Sequence, residues 1–255
     1  MPVQDDAREQ QMIDKFNLVV AAGRGRSDVD AVLELEELEE PLPFELKSTT
    51  SKSVSTVRDF GPQHIAKWRD MHWLFAFYDK AGSRLLSCRY ASPADMAPWI
   101  AEKERYVLPD LILAQRAPQL VTDEVLVQVL GDRARYEIAE ARSIMKNQWS
   151  AAQYVDNADL DSSGYSKARM VELLRERCGY VIRRGATLNN PHIPGPYLDG
   201  LPVIEKDHAA RLRVLVRAYL AEKRTAEAAG GNVRADVDPV VMDQAKAAAT
   251  EDATA

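Results

Sequence analysis

The chain has 255 residues, 46% hydrophobic and 28% charged, with a formal net charge of −6, 12 glycines and 13 prolines. That length predicts one or two domains with a full core, and the composition excludes disordered, collagen-like and coiled-coil classes. The longest apolar run, residues 73–78, is far too short to span a membrane, and two cysteines 90 positions apart, Cys88 and Cys178, exclude a disulfide scaffold or zinc ribbon and point to a reducing cytoplasm.

The N-terminal Met-Pro-Val-Gln-Asp-Asp is acidic, with no basic region leading into an apolar stretch, so no secretory signal is expected. Residues 4–20 place Met12, Ile13, Phe16, Leu18, Val19 and Val20 at roughly helical spacing, predicting a helix that ends in a turn before Gly23 and Gly25. Residues 29–35 predict a strand. Pro43-Phe-Glu-Leu-Lys-Ser48 alternates apolar and charged positions, the period of a half-buried strand, so the two predict an antiparallel hairpin. Residues 48–56 hold seven Ser or Thr in nine positions and predict a loop. A short helix follows from Gly61-Pro62 to about Met71. Residues 72–78 predict a strand covered on both faces, 79–83 a turn and 84–89 a fourth strand. Ser92-Pro93-Ala-Asp95 supplies a cap, a proline at the first helical position and an acid three residues on, so a helix should run to about Val107.

From residue 118 to about 228 the pattern is mainly helical, broken at residues 162–164 and 189–202. A helix at 204–226 carries Leu212, Leu215, Val216, Tyr219 and Leu220 on one stripe, suited to closing a core or pairing with a second copy. The fold class is therefore α/β or α+β: a central mixed sheet of four or more strands flanked by helices, with a mainly helical C-terminal half. Residues 1–110 are expected to form the core and 111–228 a mainly helical part packed on it. Residues 229–255 should form a flexible tail.

Period-2 geometry puts Glu45 and Lys47 on one face of their strand, with Phe44 and Leu46 on the other. Asp30 opens the partner strand 15 residues earlier, so the hairpin brings its carboxylate beside Glu45. Two carboxylates that close favour a cation between them, and oxygen ligands favour Mg²⁺ or Mn²⁺. A lysine on the same face orients a water or neutralises charge growing on a phosphate, which completes the equipment for metal-assisted phosphodiester hydrolysis. The chain has one acid-x-Lys triplet, about the chance expectation, so its context carries the signal. The competing description is a solvent-facing salt bridge on an edge hairpin. Asp28 competes with Asp30, which is preferred because an unbroken apolar strand follows it directly.

Ser27-Asp-Val-Asp30-Ala-Val-Leu followed by Phe44-Glu45-Leu46-Lys47-Ser48-Thr49 resembles the PD-(D/E)xK nuclease superfamily, and more narrowly its type II restriction endonucleases. The motif covers about 20 residues, and the element order extends the similarity over roughly residues 5–90. The resemblance implies that Asp30, Glu45 and the Leu46 carbonyl bind catalytic Mg²⁺, for which Mn²⁺ can substitute, and that Lys47 serves the attacking water. It also implies a sequence-specific double-strand DNA endonuclease, cytoplasmic and homodimeric, leaving 5′-phosphate and 3′-hydroxyl ends. No proline precedes Asp30; its neighbour is Val29. Some members add a carboxylate from the preceding helix, for which Glu9 is the candidate.

Candidate DNA contacts follow the triplet. Ser48, Thr49, Lys52 and Arg58 offer hydroxyls and cations to phosphates. His64, Lys67 and Arg69 cluster on the short helix, where Trp68 is read as core and His72 as a core histidine opening a buried strand. Residues 167–184 carry six basic side chains against two acids and lead through Arg183 to Asn189, Asn190 and His192, a loop suited to base reading. The charge distribution agrees with a polyanionic partner. Residues 1–50 hold 12 acids and 5 bases (net −7) and residues 221–255 hold 7 and 4 (net −3), leaving 20 and 24 (net +4) for residues 51–220. Neither a nucleophile elbow nor a phosphate-cradling glycine loop occurs. The rival descriptions are a repair or junction-resolving nuclease and a non-catalytic DNA-binding module.

Overall fold

The computed structural model describes residues 4–20, 29–230 and 237–254; Gly23, Gly25 and Asp28 lie outside the described residues. In chain order the elements are α1 (Gln4–Phe16), β1 (Ala31–Leu33), β2 (Leu42–Thr49), β3 (Val54–Ser55), α2 (Pro62–Trp68), β4 (His72–Tyr78), β5 (Leu85–Ala91) and α3 (Pro93–Arg116). There follow α4 (Asp123–Leu130), β6 (Tyr136–Glu137), α5 (Ile138–Met145), α6 (Ala151–Asp156), β7 (Gly164–Tyr165) and α7 (Lys167–Gly185). The last are β8 (His192–Ile193), α8 (Gly195–Asp199), β9 (Val203–Ile204), α9 (His208–Ala228) and α10 (Pro239–Thr254). The class is α+β. Two compact units share the chain: residues 1–60, 64–104 and 188–237 in one, and 61–63, 105–187 and 238–255 in the other.

The first unit holds a five-stranded mixed sheet in the order β1-β2-β4-β5-β9. Its expected hairpin is present, with Ala31 opposite Phe44 and Leu33 opposite Leu42. β2 then pairs parallel with β4, which requires a crossover, and residues 50–71 supply it. β4 is buried along nearly its whole length, as its continuous apolar sequence requires. One sheet face carries Phe44, Leu46, Leu74 and Cys88 beneath Met12, Ile13 and Phe16 of α1 and Leu212 and Val216 of α9. Burying such side chains stabilises the unit by roughly 1.5–3 kcal/mol each.

Several expectations change. α1 stops at Phe16 because Asn17 turns left-handed (φ 50°), and Val19 then pairs with Val32 as an isolated bridge instead of continuing a helix. The serine-rich segment is not all loop: β2 extends through Thr49, and Val54–Ser55 pairs with residues 192–193. Thr49 Oγ1 accepts from the Ser51 amide (3.1 Å) and donates to the Ser53 carbonyl (2.8 Å), so the hydroxyls build the turn between them. α3 carries the expected cap, Ser92 N–H to Asp95 Oδ2 at 2.8 Å, but runs on to Arg116.

The C-terminal part departs furthest from expectation. Residues 188–230 return to the sheet: β9 pairs with β5, and the α9 stripe is spent on the core, with Leu215 and Leu220 packed beside Leu212 and Val216. That stripe is therefore not free to serve as a dimer interface. The expected flexible tail contains α10, whose Val241 and Ala245 are buried and whose Gln244 accepts from Arg183 Nη1 at 3.4 Å. In the second unit, Leu126, Tyr136, Ile144, Tyr154, Tyr165 and Met170 form a separate core around the β6–β7 ribbon. Among the described residues no helix is long and apolar enough to cross a membrane.

Candidate active site

β2 supplies the centre of the site. Its alternation turns Phe44 and Leu46 into the core and leaves Glu45 and Lys47 on the other face, on a level with Trp73 and Phe75 of β4. Continuing the β1–β2 register one step past Ala31–Phe44 brings Asp30 across from Glu45. Asp30 sits just before β1, and its Oδ2 accepts the Leu46 N–H at 2.8 Å. In an extended strand the N–H and C=O of one residue point to the same side. The Leu46 carbonyl thus faces the same strand edge as the Asp30 carboxylate.

The two acids converge. Lys47 Nζ lies 2.6 Å from Glu45 Oε1 and 3.8 Å from Asp30 Oδ2, and the three side chains are only 17%, 4% and 12% exposed. The second oxygen of Glu45 is held from below: Trp68 Nε1 donates to Oε2 at 3.0 Å, and Lys67 Nζ stands 3.7 Å from the same atom. Beside this cluster opens a cleft of about 330 Å³ lined by Glu9, Met12, Leu46, Lys47, Ser48, Ser55 and Thr56. Glu9, half-buried on α1, lines this cleft.

Burial raises the Asp30 carboxyl above the usual carboxylate range, and the Glu45 charge raises it further; Lys47 and the Leu46 N–H oppose this without cancelling it. Burial works against the Lys47 ammonium, yet Glu45 and Asp30 outweigh burial and raise its pKa, so Lys47 keeps its proton at neutral pH. Asp30 and Glu45, with Glu9 adding its field, set three carboxylates against the ammoniums of Lys47 and Lys67 in a poorly solvated place. That is the electrostatic setting a small divalent cation relieves.

The donor set fits such an ion. Among the described residues no group of three or more His, Cys, Asp and Glu is gathered for metal binding. Mg²⁺ does not need one: it takes one or two carboxylates, waters and substrate phosphate oxygens. Asp30 Oδ, Glu45 Oε1 and the Leu46 carbonyl are the oxygens that would hold it.

The candidate DNA contacts divide. Ser48 lines the cleft. The Thr49 hydroxyl is spent on the turn. Lys52 and Arg58 are exposed on either side of β3. The β3–β8 pair, Asn190 N–H to the Val57 carbonyl (3.1 Å) and the Phe60–Leu188 bridge join this segment to the Asn189–His192 loop. Two stretches far apart in the sequence thus form one polar wall, with Asn189 and His192 exposed on it and Ser55 and Thr56 facing the cleft. Asn190 adopts a left-handed φ of 48°, which asparagine tolerates.

The short-helix cluster is a correction. Arg69 is buried against Glu104 at 8% side-chain exposure and is not available to a phosphate. Lys67 faces Glu45. His64 stacks on Phe60, and burial lowers its pKa despite the nearby Glu45. Arg183 belongs to the other unit, where it meets α10. His72 is the core histidine expected: its Nδ1 shares a hydrogen at 2.7 Å with the Tyr90 hydroxyl, and burial pushes it down to about 3.

Sequence reasoning missed Trp68 and Lys67 as partners of Glu45. The available signal was chemical: a buried indole N–H gains from an acceptor, and a buried carboxylate is a strong one. No protein-family model matches this chain, and comparison with curated proteins finds no match.

Proposed function

We propose that this chain is a Mg²⁺-dependent endonuclease of the PD-(D/E)xK kind with a restriction-endonuclease-like fold, hydrolysing phosphodiesters of double-stranded DNA. The observation that carries the reading is the convergence of Asp30, Glu45 and Lys47 beside a cleft that Lys47 lines, on a sheet whose strand order gives the hairpin acids a common edge. A solvent-facing salt bridge would not bury all three groups or raise the Asp30 carboxyl.

Asp30, Glu45 and the Leu46 carbonyl would hold Mg²⁺, with Mn²⁺ as a substitute; when bound, the ion acts as a Lewis acid on the scissile phosphate and acidifies a water. Lys47 acts in this reading as an ammonium, a form that Glu45 and Asp30 favour. It donates hydrogen bonds, orienting the attacking water and meeting charge that builds on the phosphoryl oxygens. The water oxygen bonds to phosphorus, the P–O3′ bond breaks, and the products are a 5′-phosphate and a 3′-hydroxyl. The polar wall of β3, β8 and the 188–193 loop is the surface that would follow the duplex, with Lys52 and Arg58 toward phosphates and Asn189 and His192 toward base edges. Cutting both strands of a symmetric site calls for a two-fold dimer, formed through a surface other than the α9 stripe.

Supercoiled plasmid incubated with Mg²⁺ and then with EDTA tests this. Discrete fragments that disappear with EDTA are expected. A smear or branch-dependent cutting would point to a repair or resolving nuclease, and intact plasmid at every Mg²⁺ concentration would overturn the enzyme in favour of a binding module.

A further inference from the structure

We infer that Trp68 is a positioning residue for Glu45: its indole N–H ties down Oε2 and so fixes Oε1 as the oxygen offered to a divalent cation. The inference rests on the nuclease reading above and deepens it. Trp68 is fully buried, and its Nε1 has a single hydrogen to give, which goes to Oε2 at 3.0 Å. Water cannot reach the indole to replace that bond. Lys67 Nζ, 3.7 Å from the same oxygen, adds positive charge there, so Oε2 faces only donors and a cation is repelled from it. Oε1 is different. It faces Lys47 Nζ at 2.6 Å, and that ammonium is also 3.8 Å from Asp30 Oδ2, so it marks the place where two carboxylates offer oxygen to one cation.

The indole is itself held. Trp73, level with Glu45 on the neighbouring strand, packs edge-on against Trp68 with ring centroids 4.7 Å apart, and Phe60 closes the other side at 5.3 Å. Glu45 therefore cannot rotate freely to swap its oxygens. Lys47, on a flexible stem, can withdraw from Oε1 when a cation arrives. The site is asymmetric: one lysine yields its place, while the tryptophan and the other lysine stay.

The full-length protein tests this with metal alone. Mn²⁺ binding, followed by loss of the free-ion paramagnetic resonance signal, should be seen in the wild type and lost in Asp30→Asn. Trp68→Phe keeps the ring packing but removes the N–H, and should weaken Mn²⁺ binding by about tenfold or more. Mg²⁺ should also change the tryptophan emission of the wild type and of Trp149→Phe, but not of Trp68→Phe. Unchanged Mn²⁺ affinity in Trp68→Phe, with the wild type binding, overturns the inference and leaves the nuclease reading standing. If Trp68→Phe does not fold, the Trp149→Phe arm decides: Mn²⁺ binding with no Mg²⁺-dependent change in emission overturns the inference equally. A wild type that binds no Mn²⁺ overturns both.

Discussion

Each unit carries a knot of acids around a base, and the two are built to opposite ends. In the second unit Arg135 holds Asp161 through both guanidinium nitrogens, at 2.5 and 3.0 Å, and reaches Glu137 at 2.7 Å. All three side chains are at least 39% exposed, and the bond to Arg135 holds the Asp161 carboxyl well below the usual carboxylate range. In the first unit the acids are buried, Lys47 stands between Asp30 and Glu45 with Lys67 beside the second oxygen of Glu45, and the Asp30 carboxyl is raised instead of lowered. Composition alone would rank the two knots alike. Solvation separates them: the Arg135 knot satisfies its acids with a planar fork in water, while the Asp30–Glu45 knot holds its charges where water hardly reaches.

The sharpest way to break this contrast is substitution at the buried knot. Glu45→Ala and Lys47→Ala are each expected to lower DNA cleavage by about 10²–10⁴-fold or more, while circular dichroism shows a folded protein. Retained cutting by either variant would dissolve the distinction between the knots.

Cation-dependent stability comes next. A hundredfold excess of Mg²⁺ over its dissociation constant should stabilise the wild type by about 2.7 kcal/mol, roughly 5–10 °C in unfolding midpoint. The raised Asp30 carboxyl means that folding disfavours its charged form, so stability is lost as pH rises through its folded pKa. Asp30→Asn should therefore raise the midpoint of the ion-free protein at neutral pH and abolish the Mg²⁺ response. Scanning calorimetry with and without Mg²⁺ checks both; a Mg²⁺ shift that survives in Asp30→Asn would move the cation elsewhere.

His72 extends the comparison to another buried titratable group. Its pKa lies at about 3, below the ordinary value of 6.5, because burial disfavours the imidazolium. The stability tied to its neutral form is complete above pH 6.5 and is lost as pH falls from there toward 3. Within that window urea unfolding should show up to about 1.36 kcal/mol per pH unit that His72→Asn lacks. Equal slopes for the two proteins would show that other groups govern the acid limb. The smallest effect belongs to the exposed knot: Asp161→Asn should leave cleavage and the Mg²⁺ response unchanged and lower the urea midpoint only slightly. Loss of cleavage there would mean that exposure had misranked the acids.

The hairpin was legible because its cause is local. Alternation over residues 43–48 sets which side chains share a face, and a short connection sets the register that brings Asp30 level with Glu45. The almost wholly apolar β4 and the Ser92–Asp95 cap were legible for the same reason. The β3–β8 pair was not, because its residues are polar and their partners lie more than 130 positions away. Nor was the fate of Arg69 legible, since a basic residue on a short helix has the same sequence signature whether it faces a phosphate or Glu104.

The amino-acid order by itself determined that two acids and a lysine would meet at a strand edge, because strand period and hairpin register act over a few residues. Only the tertiary structure decided the rest: that α2 folds Trp68 and Lys67 under Glu45, that α1 turns Glu9 toward the cleft, and that α9 closes the core instead of awaiting a partner. Those outcomes depend on which buried surface finds which, a competition among distant segments that no local pattern encodes.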